Sequence, residues 1–149
     1  MSRAERVILT NMCMVYDEDR ILVQNKVNDD WIGLCFPGGH VENRESFVKS
    51  VIREVKEETG LTIYEPRLCG VKQFYTEKDE RYIVFLYKTN RFEGELVSSD
   101  EGEVFWINRE DFDSYSLAVS FKEMYQVFTS DLTEQFTYLD NGEIIRDLY

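Results

Sequence analysis

One stretch of this chain constrains its fold more than any other: a short amphipathic period carrying a row of acid. Between residues 47 and 58, Phe47, Val48, Val51, Ile52 and Val55 recur at spacings of three and four and make one apolar stripe. Ser46 stands before it as a candidate N-cap, and Gly60 follows as a residue suited to the left-handed turn past a helix end. Glu54, Glu57 and Glu58 lie at i, i+3 and i+4. At about 100° per residue they share roughly a 100° arc beside the stripe. A helix of this kind buries one flank and holds three carboxylates rigidly at its edge. Like charges so spaced cost a few tenths of a kcal/mol each.

Such a cluster suits a hard divalent cation, which takes oxygen ligands and keeps waters that substrate phosphates can replace. On its own, the run reads more readily as a solvated helix face. The preceding Pro37-Gly38-Gly39 adds weight to the metal reading. Its backbone carries little side-chain bulk, so a carbonyl can face a cation and the chain can approach a phosphate closely. Ser50, one turn before Glu54, is small enough to leave space above the carboxylates.

Around this helix the chain has strand character. Val7–Tyr16 is apolar, broken only by polar residues such as Asn11, and is followed by the turn Asp17-Glu18-Asp19 and a second strand, Ile21–Val27. The pair reads as a hairpin. Residues 28–33 are a polar loop. Leu61–Thr76 and Tyr82–Phe92 are strands joined by the charged turn 77–80, and Glu103–Asn108 is another. Asp111–Phe128 is expected to hold a second helix, with Phe121, Met124, Tyr125 and Phe128 on one face. Asp140-Asn141-Gly142 predicts a terminal hairpin over 136–148. The order β–β–α–β–β–β–α predicts an α+β chain in which helices cover a mixed sheet in an α/β/α sandwich. No repeat or Gly/Ser linker interrupts 149 residues, so 1–149 is expected to be one domain.

The formal charge of −12 excludes a generally basic surface, and stable nucleic-acid binding is not expected. That charge is unevenly placed. Residues 93–149 hold 14 acidic and 3 basic side chains, whereas 39–61 hold 5 and 4. The acidity therefore does not argue against a phosphate substrate at the helix. No run approaches the roughly 18 apolar residues of a membrane span, and the N-terminus lacks the pattern of a secretory signal. Cys13, Cys35 and Cys69 form no CxxC pair and sit among apolar neighbours. They are expected to be buried free thiols of a cytoplasmic protein.

Residues 39–61 resemble a known family closely. Gly39, Glu45, Arg53-Glu54-Val55, Glu57-Glu58 and Gly60-Leu61 fill the Nudix box, GX5EX7REUXEEXGU with U a bulky aliphatic, across 23 residues. The resemblance implies an α/β/α Nudix fold with a catalytic loop-helix-loop at 39–61. It also implies hydrolysis of a nucleoside diphosphate linked to another moiety, with Mg²⁺ or Mn²⁺. Glu54, Glu57 and Glu58 match the family's metal-binding and catalytic glutamates, and Glu54 or a neighbouring Glu matches the base that activates water. The Gly38 carbonyl matches a backbone ligand. Gly39, Glu45, Arg53 and Gly60 match architectural positions, Glu45 and Arg53 as an ion pair. A further acid from outside the box, Glu101 or Glu103, is expected to complete the metal site. Lys26 corresponds to a residue that reaches a substrate phosphate, while His40 occupies a variable position of the box.

The lead-in Trp31–Glu42 is similar to that of MutT-like bacterial members, which points to a nucleoside triphosphate, 8-oxo-dGTP among the candidates. Thr76 stands where many ADP-ribose hydrolases of the family carry Pro. Trp31, Phe74 and Tyr82 are candidates for an aromatic slot that holds the base. A nucleotide sugar, ADP-ribose, a dinucleotide polyphosphate or an RNA 5′ end remain alternatives. So does a non-catalytic nucleotide-sensing domain, against which the intact box argues. The resemblance also leaves room for a homodimer.

Overall fold

The computed structural model describes residues 2–27 and 32–149. Its layering follows from strands that are apolar on both faces. In β1 (Val7–Asp17), Met12 and Met14 pack toward α2 (Phe121–Thr129), while Cys13 and Val15 pack toward Val51 and Val55 of α1 (Phe47–Thr59). A strand covered on both sides has no wet face and so reads as a continuous apolar run. The result is the expected mixed sheet between helices.

β1 runs parallel to β6 (Arg81–Thr89), and β6 pairs antiparallel with β5 (Arg67–Tyr75). β5 takes β9 (Glu134–Asp140) in parallel, and β10 (Glu143–Leu148) forms the edge beyond it. The expected hairpin between β1 and β2 (Arg20–Lys26) exists only at its tip, at Tyr16↔Ile21 and Asp17↔Arg20. Past that tip, β1 hydrogen-bonds the segment that leads into α1. Cys13 N donates to Pro37 O (2.9 Å), Asn11 N to Gly39 O (2.8 Å), and Val41 N to Leu9 O (2.9 Å). β2 turns away to pair with β3 (Gly33–Cys35) and, along its whole length, with β8 (Gly102–Asn108). The sheet thus splays where Pro37-Gly38-Gly39 enters.

Three expected elements are interrupted. The strand over 61–76 breaks into β4 (Thr62–Tyr64) and β5 around Glu65, at φ 51°, and Pro66, which has no N–H to give a ladder. The strand over 82–92 ends at Thr89, and β7 (Arg91–Glu93) pairs with β4 in a separate two-stranded sheet. The helix over 111–128 is a 3₁₀ turn, Arg109–Ser114, followed by the shorter α2. Between them the backbone is engaged elsewhere: Leu34 N donates to Ser116 O (2.9 Å) and Ala118 N to Leu34 O (3.0 Å). Those groups serve β3 rather than a helical ladder.

The terminal hairpin forms as β9 and β10, with positive φ at both Asn141 (52°) and Gly142 (84°), the backbone that an Asn-Gly pair favours. All three cysteines are free; Cys13 and Cys35 are buried, but Cys69 is only half-buried. Among the described residues, no helix is long and apolar enough to cross a membrane.

Candidate active site

α1 starts and stops where its caps require. Ser46 Oγ accepts from Lys49 N (3.3 Å), and Gly60, at φ 79°, donates its N–H to Lys56 O (3.0 Å). Val51 and Val55 anchor the helix in the core. That anchoring sets a gradient of exposure across the carboxylates: Glu58 is 5% exposed, Glu54 is partly buried and Glu57 faces solvent. Glu58 Oε2 accepts from Gly38 N (3.2 Å). Burial pushes the Glu58 carboxyl up to about 7, against the opposing pull of Lys26. Burial also raises Glu54, with Arg53 opposing it.

Arg53 organises the rest. Its Nε and Nη2 grip Glu45 at 2.7 and 2.9 Å, a bidentate pair that holds the Glu45 carboxyl down to about 2. Its Nη1 donates to Glu54 (2.9 Å) and Glu57 (3.2 Å), and Nη2 also reaches the His40 carbonyl (3.1 Å). The pair implied by the box is therefore present, and the same guanidinium also holds two of the three helix carboxylates.

Asn11 is a member of the site that the sequence reading missed. It is 4% exposed; its Nδ2 donates to Ser50 Oγ (2.9 Å), and its Oδ1 accepts from Gly39 N (3.2 Å). It ties β1, the Gly-Gly segment and α1 together. The signal available was a polar residue interrupting an apolar strand. Ser50 is accordingly buried, its hydroxyl held by Asn11. The two glycines are needed for bulk alone: a Cβ on Gly38 would lie 2.1 Å from Asn11 O, and one on Gly39 2.3 Å from the Glu54 carboxyl carbon.

These elements surround a cleft of about 490 Å³. Lys26, Gly38, Gly39, Glu54, Glu57 and Glu58 line it, together with Tyr82 and Glu101. Glu103 does not; it is exposed on β8. Glu45, Arg53 and Gly60 do not line it. Phe74 lies outside the cleft and stacks on Tyr82, with centroids 4.8 Å apart and rings at 20°. His40 lines the cleft and meets the Tyr82 ring edge to face at 6.4 Å. Trp31 falls outside the described residues.

The model of the NUDIX domain matches residues 8–129. This chain belongs to the Nudix family. It is 32% identical over 111 residues to the uncharacterized Nudix hydrolase YvcI of Bacillus subtilis (strain 168), a match that covers 71% of this chain and 69% of that protein. It is 34% identical over 102 residues to an ADP-ribose pyrophosphatase of Methanocaldococcus jannaschii, covering 64% of this chain and 59% of the other. In structure it resembles a MutT protein from Bacillus halodurans, with a TM-score of 0.80, 28% identity, and coverage of 95% of this chain and 97% of that one.

Nudix hydrolases act on nucleotide derivatives and generally use divalent metal ions. The donor chemistry of this Nudix cleft fits that use. Glu54, Glu57, Glu58 and Glu101 offer only oxygen, the donor that hard cations take. A carboxyl such as Glu58, raised by burial, is one whose ionised form a nearby cation would favour. Arg53 holds Glu54 and Glu57, Gly38 N–H holds Glu58, and among the described residues no three acidic, His or Cys side chains are already gathered as a metal-binding group.

Proposed function

We propose that this Nudix hydrolase cleaves a nucleoside triphosphate to a nucleoside monophosphate and pyrophosphate, with Mg²⁺ or Mn²⁺. The observation that carries the reading is that Glu54, Glu57, Glu58 and Glu101 line one cleft together with Lys26, Gly38 and Gly39. Water attacks a phosphorus of the α–β anhydride, the bond from that phosphorus to the α–β bridging oxygen breaks, and nucleoside monophosphate and pyrophosphate separate. Glu54, Glu57, Glu58 and Glu101 are the side chains that would hold the metal, with the Gly38 carbonyl as a backbone ligand. When bound, the metal would neutralise phosphate charge and lower the pKa of water.

The protein's own groups divide the remaining work. Glu54, Glu57 or Glu58 takes the proton of the attacking water. Lys26 binds a phosphate oxygen. Asn11 and Arg53 fix the relation between the Gly-Gly backbone and the helix carboxylates. Tyr82 and Phe74, with Trp31, supply the aromatic side of base recognition. Residues 1–149 act as one such domain, in the cytoplasm, as a monomer or homodimer.

A second reading is supported by the ADP-ribose pyrophosphatase relative: a diphosphate derivative such as ADP-ribose as substrate. A panel of normal and oxidised nucleoside triphosphates, ADP-ribose, nucleotide sugars and dinucleotide polyphosphates, assayed with Mg²⁺ and Mn²⁺, separates the two. Pyrophosphate release from a triphosphate is the expected result. Turnover confined to ADP-ribose would replace the first reading with the second.

A further inference from the structure

The sheet face that carries the cleft continues past it. Tyr82 borders the cleft and also a second cavity of about 710 Å³. The strand register explains why they adjoin. Val84, in the cleft, is the cross-strand partner of Lys72, and Tyr82 is the partner of Phe74; Lys72 and Phe74 both line the second cavity. Its far wall is the terminal hairpin, β9 and β10, which lies beyond the 8–129 segment matched by the family model.

Besides the aliphatic Val119, Leu139 and Ile144, the lining offers two kinds of group. Phe74, Tyr75, Tyr82 and Tyr138 give aromatic surface for a planar ring. Lys72, Ser120, Thr137 and Arg146 give the polar atoms. Lys72 is 2% exposed, and its Nζ donates to Ser120 Oγ (2.5 Å) and lies 5.2 Å from the Phe74 ring centre. Arg146 Nε is buried with no hydrogen-bond partner among the described residues. No acidic side chain is among the described residues that line the cavity, in a chain of net charge −12.

Ammonium and guanidinium groups only donate hydrogen bonds. A ring that fits against them must turn acceptors to them. Guanine and hypoxanthine present O6 and N7 side by side on one edge, whereas adenine presents N7 beside an amino donor. We infer that this cavity seats the base of the substrate and that Lys72 and Arg146 make the enzyme select 6-oxopurine nucleotides over adenine nucleotides. The inference rests on the reading of the neighbouring cleft as the site of triphosphate hydrolysis. Burial lowers the Lys72 ammonium to about 7, with Arg146 pushing the same way and Glu123, outside the cavity lining, opposing, so an acceptor placed against it favours the charged form.

The test compares kcat/KM for GTP, ITP and ATP. The wild-type protein favours GTP and ITP alike over ATP, by roughly tenfold or more, the discrimination that a lysine or arginine reading this edge gives. Lys72→Met and, independently, Arg146→Gln move the GTP:ATP ratio toward one, chiefly through KM. The ratio is the informative readout, because a variant that merely loses stability loses both substrates equally. Arg146→Gln serves if Lys72→Met does not fold. Wild-type indifference to the base, or a ratio unchanged in both folded variants, overturns the inference. Calorimetric binding of GMP, IMP and AMP without divalent metal separates this failure from failure of the hydrolase reading. Preference for GMP and IMP supports the cavity assignment even if no triphosphate turns over, and equal binding refutes it.

Discussion

Keeping Lys72 in the protein interior has a cost, and its size follows from the structure. The side chain is 2% exposed, and burial lowers its pKa from 10.5 to about 7. A base whose folded pKa is depressed binds fewer protons folded than unfolded at pH values between the two. Stability therefore rises with pH through that window, and the penalty is complete below about pH 7. At 1.36 kcal/mol per pKa unit, the penalty is on the order of 4–5 kcal/mol at pH 6 and about 2 kcal/mol at pH 9. Lys72→Met keeps the stem and removes the charge. It forgoes the bond to Ser120 Oγ, worth about 1 kcal/mol at any pH. The variant should be more stable than wild type at pH 6, and the gap should shrink by about 3 kcal/mol by pH 9. For a chain of this size that change in the gap is roughly 6–12 °C of Tm. Calorimetric melting of both proteins across pH 6–9 reads the difference directly, since the other titrations largely cancel. A gap that stays constant with pH, or a variant less stable than wild type at pH 6, would refute the reasoning. The confirming result would mark Lys72 as a residue kept for function at the expense of stability.

Other outcomes follow from the box and its surroundings. Glu45→Gln should lower the Tm at pH 7. Because Arg53 depresses Glu45 to about 2 from 4.5, the wild-type advantage should be complete above pH 4.5 and fade as pH falls toward 2; a pH-independent Tm difference would contradict this. Gly60→Ala forces a side chain into the left-handed region and puts a Cβ 2.6 Å from Glu95 O, so urea unfolding should show a loss of at least about 1–2 kcal/mol. Glu101→Gln should raise the Mg²⁺ concentration needed for half-maximal rate, while Glu103→Gln, at an exposed position outside the cleft, should leave it unchanged. The reverse pattern in a metal titration would exchange the roles of Glu101 and Glu103 at the start of β8.

What could be read from the sequence was what local chemistry encodes. The period of 47–58, Ser46 and Gly60 predicted α1 to within a residue of its observed end at Thr59. Asn141-Gly142 placed the terminal turn, because few residues tolerate that backbone. What stayed hidden depends on distant partners. β1 reads as the first arm of a hairpin, but nothing local tells it that β6 will lie parallel on one side and Pro37–Val41 on the other. The apolar run from 111 to 128 looks helical until β3 claims the backbone at Ser116 and Ala118. Asn11 was visible as an interruption, but its role needs Ser50 and Gly39 beside it, 39 and 28 residues away. The same holds for Lys72, which an isolated strand would present as an ordinary surface residue.

The central claim is that the carboxylates of one helix face, with a divalent metal, hydrolyse a nucleoside triphosphate. Pyrophosphate release with Mg²⁺, measured for wild type, Glu57→Gln and Glu58→Gln, tests it most directly. The account predicts metal-dependent release by wild type and a fall in kcat of orders of magnitude in each variant, with the circular dichroism of the fold retained. Near wild-type rates in both folded variants, or no release from any triphosphate with either metal, would contradict it.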